Sequence, residues 1–282
     1  LLQYLAQNGY ADQDFVAQQT QGLEQALACS ASEASMPAVA ERTGISLEKL
    51  EQFFKAFAQT GKVMTLFSMG VNQSSRGVDK ANSIINCHLL TGKIGKPGAA
   101  PFSMTGQPNA MGGREVGGLA NMLASHLELE NPQHRQLVQD FWRSPHIASQ
   151  AGLKAVDLFQ AVESGQIKAL WIMATNPVVS LPDADQVKRA LERCEFVVVS
   201  DICQDTDTTQ YADVLLPALG WGEKDGTVTN SERRISRQRA FLDAPAGAKA
   251  DWWAVSQVAK KLGFSGFDFA GSHEIFLEHA RL

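Results

Sequence analysis

The sequence predicts an α/β protein built on parallel sheets, on the strength of three stretches. "KVMTLFSMG" (62–70) is a short apolar run between Gly61 and Gly70, the length of a buried parallel strand, and the helical pattern "DKANSIINCHLLTG" (79–92) follows it. "IKALWIMATNP", "DADQVKRALERC" and "EFVVVSD" read as strand, helix and strand, a β-α-β unit. "ADVLLPA" (212–218) offers a further strand of the same kind.

Taken in order, residues 1–28 read as two helices, with Leu1, Leu2 and Leu5 on one face, Leu23, Ala26 and Leu27 on another, and a break at Gly9. "SMPAVAERTG" (35–44) has Ser35 to cap, Pro37 in the first turn and Gly44 to stop. "SLEKLEQFFKAFAQTG" (46–61) repeats that logic, with Ser46 as cap and Leu47, Leu50, Phe53, Phe54 and Phe57 as the expected buried stripe. After the strand at 62–67 and the helix at 79–92, residues 93–113 read as a loop, longer than compact domains usually carry without a function. A domain boundary is expected there, giving 1–106 as the end of one α/β domain and 107–282 as a second. Asn131 and Pro132 start a helix to Trp142, and "LFQAVESG" ends another. Beyond the β-α-β unit, "EKDGTVTNSERRI" carries an Asp225-Gly226 hairpin signal within a segment near 221–240, and "DWWAVSQVAKKLG" from Asp251 is an amphipathic helix ended by Gly263.

Composition excludes several classes. The 282 residues are 44% hydrophobic and 20% charged, within the range of folded globular proteins. A formal net charge of −5 repels a nucleic-acid backbone, and "RRISRQR" (233–239) is short and lacks interleaved aromatics, so no nucleic-acid partner is expected. Cys29, Cys87, Cys194 and Cys203 form no C-x-x-C and are too scattered for a disulfide framework, which suits a reducing compartment. The six histidines show no metal-site spacing, and no metal ligand is expected in this chain. No apolar run approaches the roughly 18 residues of a spanning helix. Without an initiator Met or a charged start, "LLQYLAQNGY" reads as an interior helix, and the chain as an interior fragment of something longer.

Ligands of open parallel sheets bind beyond the carboxyl ends of the strands. Met69, Asn72, Gln73, Thr175, Asn176, Ser200 and Asp201 fall at such ends and are the candidates for a crevice. A carboxylate at 201 can accept two N–H bonds from a guanine edge or two hydroxyl bonds from a ribose. The plainer alternative has Asp201 capping a helix near Thr206 and Asn176 shaping the turn before Pro177. No G-x-G-x-x-G follows a strand, and there is no P-loop, G-x-S-x-G or H-E-x-x-H. "MTGQPNAMGGREVGGLANML" (104–123) sets polar side chains among five glycines, which suits a loop lying against something polar.

"MGVNQSSRGVDKANSIINCHLLTGKIGKPGAAPFSMTGQPNAMGGREVGG", "WIMATNP", "VVVSD", "ADVLLPA", "GWGEKDGTVTNSERRI" and "AKADWW" together resemble, in the same order, the catalytic subunits of molybdenum nitrate reductases in the dimethyl-sulfoxide-reductase superfamily. The likeness runs from about Ser35 to Gly263. It implies Rossmann-like α/β domains of a molybdopterin oxidoreductase, reducing nitrate to nitrite on bis-molybdopterin guanine dinucleotide with molybdenum. It also implies a 4Fe-4S cluster whose ligands lie outside this chain, and an electron-donor protein or domain. Carried over residue by residue, it makes Met69, Gln73, Asn176, Ser200, Asp201, Lys224 and Asp251 cofactor contacts. Gln107 and Arg114 become catalytic residues beside the molybdenum: Arg114 a fixed charge for the oxyanion, with a salt bridge to Glu115 or another carboxylate as the alternative, and Gln107 a hydrogen-bonding group. The glycines would let the backbone approach pterin and metal. Periplasmic members usually have an extra residue and a Cys where this chain has "NAMGG"; the shorter form resembles the assimilatory, cytoplasmic branch. The family's cluster cysteines and molybdenum-ligating cysteine lie upstream of "MGVNQ", and nothing here matches them. Cys87 reads as a core thiol. A formate dehydrogenase and a non-catalytic scaffold subunit of an electron-transfer complex are the rival readings. The retained Gln107, Arg114, Asn176, Asp201 and Lys224 weigh against the second.

Overall fold

Parallel strand pairing organises both halves of the chain. The computed structural model describes residues 1–31 and 35–282. They divide into two units, Leu1–Pro108 and Asn109–Leu282.

The first unit opens with α1 (Leu2–Gln7), α2 (Gln13–Gln19) and α3 (Leu23–Ser30), three helices where the sequence suggested two. The extra break is local chemistry: the Asp12 side chain accepts the N–H of Phe15 and starts α2, and Gly22 at φ 77° starts α3. Helix α4 (Met36–Thr43) ends on Gly44 in the left-handed region, but Ser35 makes no side-chain cap bond. Helix α5 (Leu47–Gln59) is capped by Ser46, whose Oγ accepts the N–H of Lys49. Its buried stripe is narrower than expected: Leu50, Phe54 and Phe57, at i, i+4 and i+7, are buried, whereas Leu47 is 40% and Phe53 57% exposed. Phe53 lies on the flank of that face, its ring 5.9 Å from Phe54.

Strand β1 (Met64–Phe67), α6 (Met69–Asn72), α7 (Gly77–Leu90) and β2 (Ala100–Ser103) form a β-α-β unit, with β1 and β2 parallel and Thr65 opposite Pro101. Part of the expected 93–113 loop is thus a strand. Leu2, Leu5, Phe57, Cys87 and Leu90 form the core. Beside it His88, fully buried, bonds at Nδ1 to the carbonyl of Lys93 (2.7 Å) and at Nε2 to the hydroxyl of Thr65 (2.8 Å). A carbonyl can only accept, so Nδ1 carries a proton; in the neutral ring Nε2 accepts from the Thr65 hydroxyl. The Lys93 ammonium donates to the carbonyls of Phe57 and Ala58 at the end of α5, which suits the negative end of a helix, and burial lowers its pKa.

The second unit contains α8 (Ala110–Glu115), α9 (Pro132–Trp142), α10 (Ala155–Glu163), β3 (Ala169–Met173), α11 (Pro177–Ser180), α12 (Ala184–Arg193), β4 (Phe196–Asp201) and β5 (Val214–Pro217). It continues with β6 (Gly226–Thr229), β7 (Ile235–Gln238), α13 (Asp251–Lys261) and α14 (Ser272–His279). Helix α9 starts as the sequence indicated, with Asn131 Oδ1 accepting from Gln133 and His134. Strands β3, β4 and β5 form a parallel sheet in that order, and Phe159, Val162, Ile172, Val187, Ala190, Leu191, Val197 and Val199 pack between sheet and helices. Helix α12 faces it with Val187, Ala190 and Leu191 buried, spaced i, i+3, i+4.

Strands β6 and β7 pair antiparallel, but Asp225-Gly226 is not their turn. Gly226 already pairs with Gln238, and the reversal falls at Asn230–Arg234, where Asn230 Oδ1 accepts the N–H groups of Glu232 and Arg234 and Arg233 takes φ 61°. Among the described residues no helix is long and apolar enough to cross a membrane, and no group of three or more His, Cys, Asp or Glu could hold a metal ion.

Burial raises the pKa of the Cys87 thiol from 9.0 to about 11. The unfolded chain therefore ionises at a pH where the folded state must keep its proton, so stability is intact below pH 9 and falls as pH rises toward 11. In alkaline unfolding titrations wild type should lose about 2 kcal/mol more than Cys87→Ala across that window. Parallel curves would contradict the assignment.

Candidate functional site

Because β3, β4 and β5 are parallel and in register, their carboxyl ends lie on one edge: Met173 is opposite Ser200, Ser200 opposite Leu216, and Asp201 opposite Pro217. The residues that follow each strand are therefore brought together. Ala174 turns the chain at the end of β3 with φ 55°, a left-handed conformation costly for a residue with a Cβ, and its N–H donates to the carbonyl of Ser200 (3.3 Å). Thr175 is exposed and Asn176 half-buried.

Ser200 is buried and its Oγ accepts the indole N–H of Trp171 at 2.9 Å. Asp201 does not cap a helix near Thr206; Oδ1 accepts the N–H of Cys203 (2.9 Å), and its carbonyl accepts from Ala218 (3.0 Å). The chain next forms only a short 3-10 turn, Thr209–Tyr211. Asn176 precedes α11, as a turn-forming residue would, but its side chain reaches elsewhere: Oδ1 accepts the hydroxyl of Thr208 at 2.6 Å.

A cleft of about 320 Å³ opens beside this edge, lined by Ser200, Ala218, Lys249, Asp251, Trp253 and Lys261 among others. Asp251 Oδ2 lies 3.5 Å from Lys224 Nζ, each side chain about one-third exposed (32% and 34%). The structure thus pairs these two candidates with each other. Such an ion pair is worth about 0–1 kcal/mol, so an anionic ligand can take over the lysine at little cost. Lys249 sits 5.6 Å from the Trp253 ring centre. Ser200, Asp251 and Lys224 are therefore one connected group, with Asp201 and Asn176 on the same sheet edge.

Arg114 is on α8 and exposed. The expected alternative, a bridge to Glu115, is absent: Glu115 accepts from the Thr229 hydroxyl (3.0 Å) and pairs with Arg233 (3.6 Å). No carboxylate pairs with Arg114 among the described residues. Asn109 Oδ1 accepts the N–H of Thr229 and ties the start of α8 to β6. Two of the surrounding glycines meet the protein's own backbone: Gly117 has φ 78°, and a Cβ there would lie 2.6 Å from the Ala124 nitrogen, while one on Gly118 would lie 2.7 Å from the Gly113 carbonyl. Gly113 itself is open. Much of the glycine content thus serves the fold of the loop.

In the first unit, Met69 starts α6 directly after β1 and is half-buried, and Gln73 ends that turn exposed. Asn72 Nδ2 donates to Ser103 Oγ (2.7 Å), linking the carboxyl ends of β1 and β2. Gln107 is exposed.

Lys249, Trp253, Lys261, Trp171 and Thr208 are not among the candidates the sequence singles out. The spacing Trp253, Gln257, Lys261 along α13 places one helical face toward the cleft and was a usable signal. Thr208 and Trp171 act through partners 32 and 29 residues away, which no local pattern reveals.

A parallel sheet with polar groups gathered at its carboxyl edge and a cleft beside them is the arrangement by which α/β proteins bind nucleotide-like cofactors. Residues 5–261 match the model of the molybdopterin oxidoreductase family, and the chain belongs to that family, which implies a molybdopterin cofactor. It is 53% identical over its whole length to a nitrate reductase of Shewanella frigidimarina, of which it covers 30%, and 55% identical over 86% of its length to one of Klebsiella oxytoca, of which it covers 28%. The chain therefore spans less than a third of either relative. Among solved structures, acetylene hydratase from Pelobacter acetylenicus superposes on 97% of this chain and 40% of its own with a TM-score of 0.68 at 15% identity, a likeness of fold.

Ser200→Ala leaves the Trp171 N–H without its acceptor and should destabilise by about 1–2 kcal/mol in urea unfolding. In a Trp171→Phe background the same change should cost less than half as much. Equal costs would place the effect elsewhere than in this hydrogen bond.

Proposed function

We propose that this chain is the cofactor-holding portion of an assimilatory, cytoplasmic nitrate reductase that carries bis-molybdopterin guanine dinucleotide. The observation that carries the nitrate reading is Arg114: an exposed guanidinium with no carboxylate partner among the described residues, beside a Glu115 already neutralised by Arg233. A cation so placed is available to a small oxyanion. Family membership and the two nitrate reductase relatives support the same reading.

The donor and acceptor set fits the guanine dinucleotide form. Asp201 keeps one carboxylate oxygen, and Asn176 both amide N–H groups, without a protein partner among the described residues. Asp201 then accepts from a guanine edge or ribose, Lys224 answers pyrophosphate charge, and Ser200 and Asp251 line the adjoining cleft. Met69, Gln73 and Gln107 take their roles from resemblance; all three are at least partly accessible. Arg114 stabilises the charge that builds on the departing oxygen, and Gln107 hydrogen-bonds nitrate. When bound, the cofactor supplies oxygen-atom transfer, so that nitrate, two electrons and two protons become nitrite and water. A 4Fe-4S cluster and an electron-donor protein or domain complete the path from outside this chain.

In the full-length protein, Arg114→Ala should lower nitrate kcat/KM by about 10²–10³-fold while molybdenum and guanine content stay at wild-type levels. Asp201→Ala should lower that content. Formate oxidation without nitrate reduction would reject the substrate, and a protein with neither molybdenum nor guanine would reject the cofactor reading in favour of a scaffold.

A further inference from the structure

Thr208 is fully buried, and its side chain is committed in two directions. Oγ1 donates to Asn176 Oδ1 at 2.6 Å and accepts the N–H of Val178 at 3.3 Å. A threonine hydroxyl has one proton to give. With the main-chain N–H of Val178 occupying a lone pair, that proton goes to Asn176. Turning the amide over would present N–H to the hydroxyl and strand the hydroxyl proton inside the protein, a penalty of about 1–3 kcal/mol. The amide therefore has one orientation: its oxygen faces the Thr208 hydroxyl, and its NH₂ group has no partner among the described residues.

The main chain reinforces that orientation. The Asn176 carbonyl accepts from the N–H groups of Val179 (3.0 Å) and Ser180 (2.9 Å), which anchors the backbone at the start of α11. With the backbone held and the amide oxygen turned to the buried Thr208 hydroxyl, the two Nδ2 protons are the unpartnered side-chain donors left to meet a ligand.

We propose that Thr208 is a positioning residue that turns Asn176 into a two-proton donor at the carboxyl edge of the sheet. The ligand group that meets Asn176 Nδ2 is then an acceptor, a carbonyl or phosphate oxygen. This rests on the reading above that Asn176 meets the cofactor.

The test follows the loss of guanine nucleotide and molybdenum from the full-length holoprotein over time after removal of free cofactor. Asn176→Ala and Asn176→Asp should both shed cofactor about tenfold faster than wild type, because each removes the N–H donors while the aspartate keeps an acceptor for Thr208. Thr208→Val should also speed the loss, Thr208→Ser should restore wild-type retention, and Thr208→Val should add nothing once Asn176 is alanine. A purely structural threonine would instead give the same acceleration in both backgrounds, and that result overturns the proposal. Wild-type retention in Asn176→Asp alongside rapid loss in Asn176→Ala overturns the donor assignment, and decides the matter even if Thr208→Val does not fold. Wild-type retention in Asn176→Ala removes the underlying contact itself, an outcome distinct from the other two.

Discussion

The register of one small parallel sheet governs the second unit. With Met173, Ser200 and Leu216 abreast, three separate chain segments end on the same line, and the polar residues after them converge without any further device. Side chains protect that register at both ends. At the start of β4 the Val197 N–H donates to the Asp213 carboxylate at 2.7 Å while Asp213 N–H returns a bond to the Val197 carbonyl at 2.8 Å. At the far end the Trp171 indole crosses from β3 to Ser200. A one-residue slip would turn the core-facing valines of β4 outward, so the hydrophobic core and the polar edge are specified together.

What was legible in the sequence is what local chemistry decides. The valine run of β4 and the Asn131-Pro132 start of α9 needed no distant partner to be recognised. Strand β2 was hidden because "APFS" is four residues long and includes a proline; it survives in a two-stranded sheet, where Pro101 can lack an N–H. The hairpin turns at Asn230–Arg234 because Asp225-Gly226, though a strong local signal, yields to the Asn230 side chain, which bonds to two later N–H groups and is the stronger constraint in the folded chain.

The site divides in the same way. Strand-end position alone selected Asn176, Ser200 and Asp201, and the fold gathers them on one edge. Lys224 and Asp251 came from resemblance, and the structure adds that they neutralise each other, which residue type could not reveal. Arg114 shows the opposite: an adjacent acid is its nearest alternative partner in the sequence, but Glu115 is occupied by Thr229 and Arg233.

Ala174, held at φ 55° at the tip of β3, has a consequence for mobility. Glycine there would relieve the strain on the Cβ and, in the same stroke, give the unfolded chain more freedom, two effects of about 1 kcal/mol and opposite sign. Melting temperature would then scarcely register the exchange, while the hinge between the strand and Asn176 would gain conformers. The methyl group thus sets the stiffness of this corner almost independently of how firmly the whole domain holds together.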